Sequence, residues 1–134
     1  MSHMDSRHFL RALSESPDAP DGRIFFYLDA HWEQDLPLAD ELAIIFARWS
    51  EAVVMIDDFE VPATQYGYDD YGPGKALDTT YLEPLSHLGL HLFYPSARAS
   101  QETGAKRGCV VTCREPGLAN RLSAMTTLRC ASSR

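Results

Sequence analysis

The segment AVVMIDDFEVPATQYGYDDYGPGK, from Ala52 to Lys75, carries two adjacent aspartate pairs, Asp57/Asp58 and Asp69/Asp70, and a further acid, Asp29, closes an apolar run upstream. Carboxylates gathered in one place repel one another and stay ionised only where a cation, hydrogen bonds or water offset the charge. Oxygen-only ligand sets suit magnesium, calcium or manganese. Aspartates at strand ends also cap the following loop by accepting from backbone N–H groups, and the residues alone leave both roles open. His31 is a candidate general base, because an unperturbed imidazole pKa of about 6.5 suits proton transfer at neutral pH. Its alternative is a loop histidine bonded to a backbone carbonyl. Trp32 either lines an acceptor pocket or covers the start of a helix. Tyr66, Tyr68 and Tyr71 interleave with Gly67, Gly72 and Gly74, a composition for a loop that presents aromatic faces to a ligand or, more simply, for a solvated turn.

The elements that would position these residues can be read from hydropathy patterning. Ile24 to Leu28, IFFYL, is a continuous apolar run, as expected of a strand buried on both faces. Asp35 can cap a helix with Pro37 in its first turn, after which Leu38, Leu42, Ile45, Phe46 and Trp49 fall along one face. Ala52 to Ile56, AVVMI, is a second buried strand. Strand, helix and strand in this order imply a right-handed parallel crossover, and ligands collect beyond the carboxyl ends of such strands. Asp29, Asp57 and Asp58 are therefore expected at one rim.

Around this unit, Ser6 to Ser14 places Phe9, Leu10 and Leu13 on a helical spacing before a loop rich in proline. Asp78 to His87 reads as a short helix disturbed by Pro84, with Gly89 available to end it. Leu90 to Tyr94 and Gly108 to Cys113 read as strands, and the polar excursion between them suggests antiparallel pairing. Leu118, Leu122 and Met125 could align on a last helix.

The chain has 134 residues and a formal net charge of -7. One domain with a real core fits that length, and the acidic balance argues against nucleic acid as the main partner. The stretch Ala105-Lys106-Arg107 reads as a solvated turn. No apolar run is long enough to span a bilayer and no secretory signal is evident, so the cytoplasm is the expected compartment. Cys109 and Cys113 would lie roughly 13 Å apart on a strand rising about 3.3 Å per residue, too far to bridge. Without a CxxC motif, the three cysteines are expected to be reduced residues of the core. Residues 1–4 read as a vector remnant, residues 5–22 as an amino-terminal helix and loop, and residues 23–134 as an α/β domain.

FFYLDAHW, an amphipathic helix, AVVMIDDF and a late pair of strands together resemble the carboxyl-terminal half of a class I S-adenosylmethionine-dependent methyltransferase. Among these, the metal-dependent O-methyltransferases are the most similar. The resemblance runs from about Arg23 to Cys113. It implies a truncated Rossmann-like sheet, mostly parallel with one antiparallel strand, ordered IFFYL, AVVMI, GCVVTC, LHLFY. It also implies a divalent cation such as magnesium on Asp29, Asp57 and Asp58, a small-molecule acceptor near Trp32, Tyr66, Tyr68 and Tyr71, and Asp29 and His31 as the catalytic candidates. His31 stands where related enzymes often carry another aspartate. No strand followed by a glycine-rich turn precedes Ile24, so S-adenosylmethionine, the cofactor of the parent family, is not expected to bind this chain, which reads as half of an enzyme and is not expected to turn over alone. The alternative expectation is a non-catalytic α/β module acting through oligomerisation or partner binding. In either case the IFFYL strand should keep one open edge, and a homodimer is expected to cover it.

Overall fold

The computed structural model describes residues 6–18, 22–28, 38–62, 64–68, 70, 76–97, 100 and 107–131. Helix α1 spans Ser6–Glu15, strand β1 Ile24–Leu28, helix α2 Leu38–Arg48 and strand β2 Ala52–Asp57. After them come helix α3, Thr79–Leu82, a 3₁₀ helix over Glu83–Leu88, strands β3, His91–Pro95, and β4, Cys109–Cys113, helix α4, Pro116–Ser123, and strand β5, Leu128–Cys130.

These strands form one mixed five-stranded sheet in the order β1-β2-β4-β3-β5. β1 and β2 are parallel, with Ile24 opposite Ala52 and Leu28 opposite Ile56. β4 runs antiparallel to both of its neighbours, β2 and β3. The expected order of the first four strands and the antiparallel insertion of GCVVTC are therefore present. By direction β1, β2 and β3 run one way and β4 and β5 the other, so the sheet is mixed, with two antiparallel strands where one was expected. The fifth strand, β5, was not foreseen: three residues, Leu-Arg-Cys, are too short to show a period.

Alternation along β2 separates the two faces of the sheet. Ala52, Val54 and Ile56 are fully buried, whereas Val53, Met55 and Asp57 are half-buried. The buried face meets α2, whose Leu38, Leu42, Ile45 and Phe46 form its apolar stripe and belong to one core cluster with Trp49, Leu10 and Leu28. The rings of Phe26 and Trp49 lie 5.2 Å apart between centroids, a tilted arrangement favoured by their quadrupoles. Asp35 and Pro37, the expected start of α2, lie outside the described residues. α1 packs on α2 through Leu10 and leaves Phe9 exposed, so the expected apolar spacing of α1 is only partly used. The other face of the sheet carries a smaller cluster in which Phe93, Val111 and Cys113 pack against Leu118 and Ala119 of α4.

Local signals explain the ends of the short helices. Asp78 caps α3 by accepting from the Tyr81 N–H at 3.0 Å. Pro84 coincides with the change to 3₁₀ geometry, and Gly89 ends that turn at φ 66°, in the left-handed region where a Cβ is costly. α4 begins at Pro116 and is capped by Glu115, which accepts from the N–H groups of Gly117 and Leu118. Met125, expected on this helix, lies beyond its end and is exposed.

Candidate functional site

The parallel register of β1 and β2 brings their carboxyl ends side by side, with Leu28 opposite Ile56 and Asp57 next in line. Asp29, His31 and Trp32 follow β1 directly and lie outside the described residues, as do Asp69 and Tyr71. The described part of the site is therefore Asp57, Asp58 and the loop after them.

Asp57 and Asp58 are adjacent in sequence but have different surroundings. Asp57 lies on the face opposite α2, and its Oδ2 accepts a hydrogen bond of 2.7 Å from the Tyr27 hydroxyl of β1. Asp58 has φ 57°, a left-handed conformation that aspartate tolerates better than most residues. This turn swings its carboxylate away from the sheet direction and onto Arg107, whose Nε donates to Oδ1 at 2.6 Å. The Asp58 side chain keeps 14% of its exposure and that of Arg107 36%, so the pair is only partly screened by water. Arg107, read from the sequence as part of a solvated turn, is thus an ion-pair partner at the base of the rim.

Backbone bonds around this pair tie the loop after β2 to the entry of β4. The Phe59 N–H donates to the Gly108 carbonyl at 3.1 Å, and the Gly108 N–H donates to the Gly67 carbonyl at 2.7 Å. A Cβ at position 108 would come within 2.3 Å of the Phe59 carbonyl oxygen, so this close approach requires glycine.

The tyrosines of the loop divide by role. Tyr66 is buried, and its hydroxyl donates to the Ala97 carbonyl at 2.8 Å; it anchors the loop in the core and offers no free face to a ligand. Tyr68 is half-buried beside Glu60, whose hydrogen bond and negative charge raise its pKa. Asp70 is exposed and forms an isolated antiparallel bridge with Ala76. Of the two described tyrosines expected to face a substrate, Tyr66 is buried in the core and Tyr68 is half-buried.

Among the described residues no group of three or more histidine, cysteine, aspartate or glutamate side chains is placed to hold a metal ion. Tyr27 and Arg107 are the two residues of this site that sequence reasoning missed. Tyr27 could have been found, since it alternates onto the same face as Met55, its register partner, and Asp57 lies two residues beyond Met55 on that face. Arg107 carried no local signal, because its partner is 49 residues away.

The cysteines are all reduced: Cys113 is buried, Cys109 is half-buried and Cys130 is exposed. Cys130 on β5 departs from the expectation that all three belong to the core. Among the described residues, no helix is long and apolar enough to cross a membrane.

Compared with protein-family models, with curated proteins and with solved structures, the chain gives no match.

Proposed function

We propose that this chain is the acceptor-side, cation-binding part of an O-methyltransferase-like domain. The observation that carries the reading is the strand order β1-β2-β4-β3 with β4 inserted antiparallel, combined with an acid at the end of each parallel strand. That combination is what the resemblance implies for the fourth, fifth, seventh and sixth strands of the parent fold. In this reading Asp57 and Asp29 hold a divalent cation, which would orient two oxygens of the acceptor and lower the pKa of the attacking hydroxyl. Asp58 is given to Arg107 and fixes the loop that carries Tyr68. His31 takes the acceptor proton.

Titration calorimetry tests this directly. Manganese(II) followed by pyrocatechol, a diol able to chelate the ion, is expected to bind in that order, and binding of both should be lost in Asp57→Asn. Pyrocatechol binding that ignores the metal would overturn the reading.

A second reading, a catalytically silent α/β module acting through oligomerisation or partner binding, draws on the Asp58–Arg107 pair, which neutralises one acid of the rim with a side chain in place of an ion. Absence of any metal-dependent ligand binding would favour it.

A further inference from the structure

We draw no further inference here: the strongest candidate, the open apolar groove of about 540 Å³ on the sheet face opposite α2, between Phe25 of β1 and Leu122 of α4 with Val53, Met55 and Val111 lining it, carries none, because nothing in the structure shows what covers it.

Discussion

Arg107 donates to Asp58 across 2.6 Å and 49 residues of sequence, and the contact joins the loop after β2 to the residue that leads into β4. It decides which acid of the Asp57/Asp58 pair is available. Asp58 already has a cation, and its left-handed backbone is the turn that lets it reach one. Asp57 remains at the rim with Tyr27 as its hydrogen-bond donor.

The pair should contribute measurably to stability. A double-mutant cycle of Asp58→Asn and Arg107→Ala, read by urea unfolding, is expected to give a coupling of about 1–2 kcal/mol, because the bond is short, charge-assisted and partly buried. Asparagine keeps the tolerance for left-handed backbone, so the cycle isolates the charge. A coupling that does not fall with added salt would argue against an ion pair.

Glu115 predicts an acid-sensitive helix. Two backbone N–H groups of α4 donate to its carboxylate and hold its pKa below the usual glutamate range. A lowered folded-state pKa gives stability that is present above the unfolded value, about 4.3, and is lost as pH falls through the folded one. Glu115→Gln is therefore expected to lower stability near neutrality and to flatten the profile in that acidic window, so that variant and parent converge at low pH. Chemical denaturation at a series of pH values would show it.

The cysteines should separate by reactivity. Burial, with a smaller effect from the charge of Glu115, pushes the Cys113 thiol up to about 11, which leaves little thiolate near neutral pH. Cys130 is exposed. Mass spectrometry after brief treatment with a thiol reagent should show Cys130 labelled first, Cys109 later, and Cys113 only on unfolding.

Thr112 is fully buried on β4, and its hydroxyl has no hydrogen-bond partner among the described residues. A buried hydroxyl left unsatisfied carries its full desolvation cost, so Thr112→Val, nearly equal in shape, is expected to raise stability by about 1 kcal/mol. A thermal melt checks the sign.

How much of this was legible in the sequence depended on whether the signal was local. IFFYL, AVVMI and GCVVTC announce themselves as apolar runs, and the buried stripe of α2 follows its spacing from Leu38 to Trp49. Asp78, Pro84 and Gly89 mark the short helices because each acts within its own turn. β5 stayed hidden because three residues cannot show alternation, and it exists through pairing with β3. Tyr66 looked like a ligand-facing aromatic because glycines surround it, yet a carbonyl 31 residues away takes its hydroxyl. The Asp58–Arg107 pair is likewise a product of topology: only the insertion of β4 beside β2 brings the two together.

The central claim is that the rim beyond β1 and β2 holds a divalent cation through Asp57 and Asp29. Paramagnetic broadening of backbone amide signals during a manganese(II) titration addresses it most directly, because the effect is strongest close to the ion. The account predicts selective broadening at Leu28 and Asp57, abolished by Asp57→Asn and by Asp29→Asn and kept in Arg107→Ala. Uniform broadening, or broadening at the rim that survives both aspartate substitutions, would contradict it.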